Sequence, residues 1–136
     1  AELLRVEPLV LLSNVARGRN SREKLMQNPY ICYDSQSWGG LKAFQYLKDR
    51  KIRVEPDYEL DALEAIEKLV LQGMGVSLVP RWVGLDLERP GLDVEIIRNQ
   101  RYARKLVLVT PRNSAHGAVI AALLQALKSR SGDLIA

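Results

Sequence analysis

The chain of 136 residues contains little that supports cross-linking, metal binding or membrane insertion. It has one cysteine, Cys32, and one histidine, His116, so an internal disulfide is impossible and the sequence offers no cluster of metal ligands. No apolar run approaches the roughly 20 residues that span a bilayer. No N-terminal stretch has the order of charge, apolar run and small residues that marks a signal peptide. We therefore expect a cytoplasmic protein with no metal, no cofactor and no membrane partner.

Charge of one sign is also scarce, because the formal net charge is only +4. The basic residues lie mainly in three runs, at 17–24, 48–53 and 98–105, and other residues interrupt each run. We interpret each run as a solvated loop or helix end rather than a nucleic-acid surface. A hydrophobic content of 47% with 26% charged residues predicts a folded globular domain.

The order of apolar and polar segments predicts an α/β fold. Short apolar runs predict strands at 9–12, 30–33, 57–60 and 76–79, and helical spacing predicts helices at 21–26, 38–48 and after residue 61. Asp61 and Glu64 form a predicted capping box for the third helix, and Gly73 is its expected C-terminal glycine. From residue 30 to 79 the order is strand, helix, strand, helix, strand. Such crossovers imply a parallel sheet.

The segment after Pro80 predicts further elements. We expect a short helix at 82–87, a half-exposed strand through Leu92, Val94 and Ile96, and a buried strand at 106–109. A final helix at 115–129 is expected to begin at the cap residue Ser114.

No catalytic motif is complete, so we expect no enzyme activity. Gly73-Met74-Gly75 follows a helix and precedes a strand, whereas a phosphate-binding loop follows a strand and opens a helix. The run from Gly75 to Val79 begins like a nucleophile elbow but lacks its final glycine.

The run LDALEAIEKLVLQGMGVSLVP at residues 60–80 resembles the signature of LysR-type effector domains. In that family a strand leads into a helix, a Gly-x-Gly turn follows, and the next strand ends in proline. Residues 7–12 are similar to the family's first crossing strand, 106–111 to its return strand and 115–129 to its closing helix. The resemblance implies a periplasmic-binding-protein-like (type 2) doubly wound subdomain. Its parallel sheet is flanked by helices and is joined by the closing strand and helix of a second, incomplete subdomain.

The resemblance also implies a domain division and a function. Residues 1–12 would be the crossing strand of the incomplete first subdomain, 13–105 the second, effector subdomain, and 106–136 the return strand and C-terminal helix of the first. The chain would be the co-inducer-sensing portion of a LysR-type bacterial transcription regulator. Its DNA contact would pass through a winged helix-turn-helix outside this chain. The alternatives are a periplasmic solute-binding protein and an enzyme with the same two-subdomain fold, such as a deaminase of porphyrin synthesis.

In such a fold, ligands bind beyond the carboxyl ends of the strands. Three strand ends therefore supply the candidate effector-binding residues, which are Ser35, Gln36, Ser37 and Trp38; Leu60 and Asp61; and Val79, Pro80 and Arg81. The effector is expected to be a small organic anion or an amino acid. The first loop is the preferred carboxylate site, since a helix begins there, although Ser35 or Ser37 could simply cap that helix.

The other candidates have competing interpretations. The Asp61 carboxylate would repel an anion and is explained as a helix cap. Arg81 could pair with an anionic effector or be a surface arginine. Trp82 could be a ligand platform or a packed helix residue.

The helix predicted at 38–48 has two apolar faces, which predicts two neighbours. We assign Trp38, Leu41 and Phe44 to the face that covers its own sheet. The second face contains Ala43, Tyr46 and Leu47. By resemblance to LysR-type domains, which pair antiparallel, this second face would contact another copy in a homodimer or higher oligomer.

Overall fold

The computed structural model describes residues 2–14, 20–109 and 117–132, which form two compact units. One unit comprises Ala1–Glu7 and Lys105–Ala136, and the other comprises Pro8–Arg104. No helix within the described ranges is long and apolar enough to cross a membrane.

Seven strands and four α-helices are found in the described residues. In chain order they are β1 (Glu2–Glu7), β2 (Leu9–Asn14), α1 (Ser21–Gln27), β3 (Tyr30–Tyr33), α2 (Trp38–Asp49), β4 (Pro56–Leu60), α3 (Leu63–Leu71), β5 (Ser77–Pro80), β6 (Leu92–Ile96), β7 (Arg104–Leu108) and α4 (Gly117–Gly132). A 3₁₀ turn at Gln100–Tyr102 precedes β7. The α/β class is confirmed, and the four strands predicted between residues 9 and 79 are found within one or two residues.

The sheet of the larger unit is mixed. β3 and β4 are parallel, and a parallel bridge between Tyr30 and Val76 joins β3 to the start of β5. The predicted parallel arrangement of these three strands is therefore confirmed. β2 runs antiparallel between β5 and β6, with Leu11 opposite Leu78 on one side and Glu95 on the other. β6 is half-exposed, as expected.

β2 is the centre of the core because helices cover both faces of the sheet. Successive side chains of a strand point to opposite faces. Leu9 and Leu11 accordingly pack with α2, and Val10 and Leu12 pack with α3. All four of these side chains are fully buried.

The assignment of the two faces of α2 was wrong. Ala43, Tyr46 and Leu47 pack in the core of this chain, so they are covered without a second copy. Trp38, Leu41 and Phe44 are instead 59%, 51% and 63% exposed. Both stripes have helical spacing, and spacing alone does not show which one meets the sheet.

Two glycines at the start of α2 determine its orientation. A Cβ on Gly40 would lie 2.0 Å from the carbonyl oxygen of Asp34, and one on Gly39 would lie 3.0 Å from the ring of Tyr33. The first turn of α2 therefore rests directly on the end of β3, which turns the Ala43 stripe toward the sheet.

The ends of α3 differ in how well the sequence predicted them. The N-cap is Ala62, without a side-chain hydrogen bond, so the predicted capping role of Asp61 was wrong. At the other end the prediction for Gly73 is confirmed. Gly73 has a φ of 77°, its N–H donates to Val70 O, and the N–H of Met74 donates to Leu69 O. This is a Schellman motif, which glycine adopts without steric cost.

Two further expectations fail in the described residues. Turns rather than a helix follow Arg81, and Trp82 and Leu85 both pack in the core on the α3 side of the sheet. β7 is not a buried strand, because Val107 within it is 50% exposed and Val109, just after it, is 74% exposed. The final helix is found as α4, whereas Ser114 and His116 lie outside the described residues.

The close contact at Gly40 predicts that a side chain at this position destabilises the fold. We expect Gly40→Ala to lower the free energy of unfolding by about 3 kcal/mol, because the added Cβ must displace the backbone of Asp34. Gln45→Ala, on the exposed side of the same helix, should change it by no more than about 0.5 kcal/mol. Urea unfolding followed by tryptophan fluorescence measures both, and equal midpoints for the two variants would contradict the packing.

Candidate functional site

The carboxyl ends of β3 and β4 meet at one edge of the sheet. The N–H of Asp34, just after β3, donates to the carbonyl oxygen of Leu60 at 2.9 Å. Asp34, Glu59, Leu60 and Asp61 line an open depression of about 480 Å³. The first two predicted strand ends are thus brought together, at the place where ligands bind in open α/β sheets.

The first predicted loop uses much of its hydrogen-bonding capacity internally. The N–H of Gln36 donates to Asp34 Oδ1 at 3.2 Å, and the Ser37 hydroxyl donates to Asp34 O at 2.7 Å. Ser37 also caps α2 by accepting from the N–H of Gly40 at 3.0 Å, so the capping alternative holds for Ser37. Ser35, Gln36 and Trp38 are exposed.

The third strand end has a different character. Val79 and Pro80 are buried, and Arg81 is only 7% exposed, so the interpretation of Arg81 as a surface residue was wrong. Its backbone N–H donates to Pro8 O at 2.8 Å. Pro80 lies against the start of α2, since a Cβ on Gly39 would be 3.2 Å from its ring.

Trp82 packs in the core, so the packing interpretation of this residue is confirmed, although turns replace the expected helix. Its indole nitrogen is buried and has no hydrogen-bond partner among the described residues.

The electrostatics of the depression oppose the expectation of a simple anion. Three carboxylates line it, whereas the first turn of α2 contains no acidic residue and presents the positive end of the helix dipole beside Asp34. Within the described ranges, no three histidine, cysteine or carboxylate side chains are arranged to hold a metal ion. The arrangement can therefore accept an ammonium or guanidinium group and favours a carboxylate only at the helix start.

The sequence interpretation placed Asp34 at the start of the first strand-end loop without naming it among the effector-binding residues, and it missed Glu59 altogether. Asp34 follows the last residue of β3, and Glu59 precedes the last residue of β4. A search for polar residues within one position of each strand end would have found both residues, because ligands in such folds bind at the carboxyl ends of the strands.

Cys32 lies beside this edge. It stands opposite Glu59 in the β3–β4 register, and both line an apolar groove of about 440 Å³ next to α2. Burial raises the pKa of the Cys32 thiol, and the Glu59 carboxylate raises it further. The thiol is thus held in its neutral form, and the Cys32 side chain packs against the core.

Comparisons with known proteins agree with this architecture. The family model described as LysR substrate binding domain matches residues 1–132. The chain therefore belongs to that family, and its fold is the periplasmic-binding-protein-like type 2 fold. No curated protein matches the chain.

Solved structures of regulators share the fold at low identity. The regulatory domain of CcmR from Synechocystis PCC6803, solved in complex with 2-PG, has a TM-score of 0.70 and 16% identity, over 96% of this chain and 65% of that one. Reduced OxyR from N. meningitidis gives 0.68 and 15%, over 95% and 64%. CbnR, a LysR family transcriptional regulator, gives 0.66 and 13%, over 95% and 46%. The chain thus spans 65% or less of the length of each of these structures.

The position of Cys32 gives a chemical test of this edge. We expect iodoacetamide to alkylate Cys32 more slowly than a free thiol at pH 8, with a rate that rises until well above the ordinary thiol pKa. Glu59→Gln should lower the thiol pKa and speed the reaction at pH 8, because it removes the neighbouring negative charge. Asp61→Asn, in the same depression, should leave the profile unchanged. An unshifted profile in Glu59→Gln would contradict the proximity of these two side chains.

Proposed function

We propose that this chain is the effector-binding portion of a LysR-type transcription regulator. It binds a small molecule at the carboxyl ends of β3 and β4, and the regulator contacts DNA through a winged helix-turn-helix outside the chain. The observation that carries the proposal is the depression lined by Asp34, Glu59 and Asp61 at the edge of a LysR substrate binding domain. The complex of the CcmR regulatory domain with 2-PG supports ligand binding by this fold. A regulator of this kind works in the cytoplasm.

The chemistry of the edge favours an amino acid over a plain organic anion. A carboxylate is favoured beside the first turn of α2, where the helix dipole is positive; of the first N–H groups, that of Gly40 is already bonded to Ser37 Oγ at 3.0 Å. An ammonium group is favoured beside Asp61 and Glu59, both of which are exposed to the depression. A molecule that carries a carboxylate and an ammonium group a few bonds apart would match both the positive helix start and the negative strand ends. A dicarboxylate would instead be repelled by three negative side chains.

We expect an amino acid to raise the melting temperature of the full-length regulator in a thermal-shift screen that also contains simple organic acids. Asp61→Asn should weaken the affinity for that amino acid about tenfold, the effect of losing one charge-assisted contact of about 1.4 kcal/mol. Glu64→Gln neutralises an exposed carboxylate on α3 that does not line the depression, and it should have no effect.

A response limited to organic acids would contradict the ligand class, and so would equal affinity in Asp61→Asn and the wild type. A regulator that responds to no small molecule of either class would contradict effector sensing itself.

We further propose that the full-length regulator is a homodimer or higher oligomer that uses the exposed face of α2. Trp38, Leu41 and Phe44 form one apolar stripe, and Leu41 and Phe44 also line the apolar groove beside Cys32. A continuous exposed apolar surface of this kind is typical of an interface. The pairing of LysR-type domains through the corresponding helix supports an interface on α2. The stripe proposed here is Trp38, Leu41 and Phe44, in place of the stripe of Ala43, Tyr46 and Leu47 that the sequence predicted.

The interface proposal has a matched test. Phe44→Glu should weaken self-association of the full-length regulator at least tenfold, because a charge would be buried against apolar partners. Val83→Glu is the control, since Val83 is equally exposed, at 61% against 63% for Phe44, but lies in the turn after β5. Sedimentation velocity over a concentration series measures both. An unchanged association constant for Phe44→Glu would exclude this face.

A further inference from the structure

The three basic runs of the sequence meet in space around the C-terminal end of α2. One guanidinium nitrogen of Arg22, in α1, donates to the carbonyl oxygen of Arg50 at 2.7 Å. Arg50 and Arg98 then line the same open depression, of about 400 Å³. Residues 22, 50 and 98 come from the first, second and third basic runs, so the fold unites charges that are far apart in the chain.

Further cations extend this surface on both sides of the helix end. The ammonium group of Lys42 donates to Arg101 O at 3.1 Å. Lys48, Lys51 and Arg53 line a second open depression, of about 510 Å³. We define the basic surface by its eight cations, which are Arg22, Lys42, Lys48, Arg50, Lys51, Arg53, Arg98 and Arg101.

Little negative charge offsets this surface. Among the described residues, the carboxylates that line the two depressions or bond to these cations are Asp49 and Glu95. Asp49 is engaged, because its Oδ2 lies 3.4 Å from Arg101 Nε and accepts a hydrogen bond from the Tyr102 hydroxyl at 2.6 Å. The negative end of the α2 dipole accounts for one or two cations in its last turn, but not for eight, of which seven come from the three basic runs and one is Lys42.

We propose that the basic surface binds the phosphate backbone of double-stranded DNA without reading its sequence. The cations are spread along both sides of a helix end instead of converging on one point, which suits an extended polyanion better than a small one. All of them except Lys42 are exposed.

At the first depression a protein partner is less well matched, because Tyr46 and Tyr102 are buried and packed edge to face at 5.3 Å. That depression therefore lacks the exposed aromatic anchors of protein interfaces. The second depression is also lined by the exposed Phe44, which belongs to the apolar stripe of α2. The proposed function supplies the DNA, since a regulator bound at its operator keeps flanking duplex nearby. Binding to DNA by this chain is nevertheless measurable without any effector.

The test is fluorescence anisotropy of a labelled random-sequence duplex titrated with the 136-residue chain. Contact with about four phosphates predicts a slope near −3.6 for log affinity against log salt, or roughly 100-fold weaker binding at 200 mM than at 50 mM. A second duplex of unrelated sequence should bind equally well. Absence of binding at 50 mM salt would overturn the proposal, and so would a strong preference for one sequence.

Matched variants locate the binding. Arg50→Ala combined with Arg98→Ala removes two positive charges and should reduce the salt slope by about 1.8, with at least tenfold weaker binding at 100 mM. Lys68→Glu changes the net charge by the same amount on α3, which packs on the other face of the sheet, and should retain the slope. Equal losses in the two variants would show a general charge effect and refute the assignment.

A polyaspartate probe under the same conditions decides the class of polyanion. Weaker binding of polyaspartate than of the duplex supports DNA, whereas binding of polyaspartate alone would assign the surface to an acidic protein and overturn the proposal. Failure here leaves a thermal-shift response to amino acids unaffected, so the two proposals fail separately.

Discussion

The direct contact between the first turn of α2 and the end of β3 is the constraint on which the other features of the larger unit depend. At Gly40 the helix approaches the backbone of Asp34 so closely that even a Cβ has no room. This approach turns the Ala43 stripe into the core and leaves the Trp38 stripe outside. It also holds Asp34 in the turn that donates to Leu60 O and thereby joins two strand ends. A side chain at residue 40 would force the helix away from all of these partners at once.

The same contact creates a site with two opposed fields. The start of a helix is positive, yet the strand ends beside it carry three carboxylates. The Asp34 carboxylate accepts a hydrogen bond from the N–H of Gln36, whereas the Asp61 carboxylate does not cap α3, because the N-cap is Ala62. The polarity of the site therefore comes from where the strands end, which composition does not reveal.

The sequence predicted features that depend on local chemistry. β3 was found at the residues expected, and Gly73 was found at the end of α3, because apolar runs and a glycine with positive φ are determined within a few residues. The sequence did not predict the features that depend on contacts with distant segments. The antiparallel position of β2, the face of α2 that meets the sheet and the burial of Arg81 each depend on a partner far along the chain. Asp61 was misjudged for a smaller reason, since the helix begins one residue later than predicted, with Ala62 as its N-cap.

The distribution of basic residues also depends on contacts between segments that are distant in the chain. Each basic run, taken alone, is an ordinary solvated segment, and only the contact between Arg22 and Arg50 shows that two of them are neighbours. α2 then relates the separate surfaces to one another. Its first turn lies against Asp34, which lines the depression at the strand ends. Its middle exposes Leu41 and Phe44, and its last turn adjoins the basic surface. Twelve residues of helix span about 18 Å, and a helix of that length is stiff. Because one helix contacts all three surfaces, the packing of its glycine-rich start against the end of β3 fixes where the apolar stripe and the basic end lie.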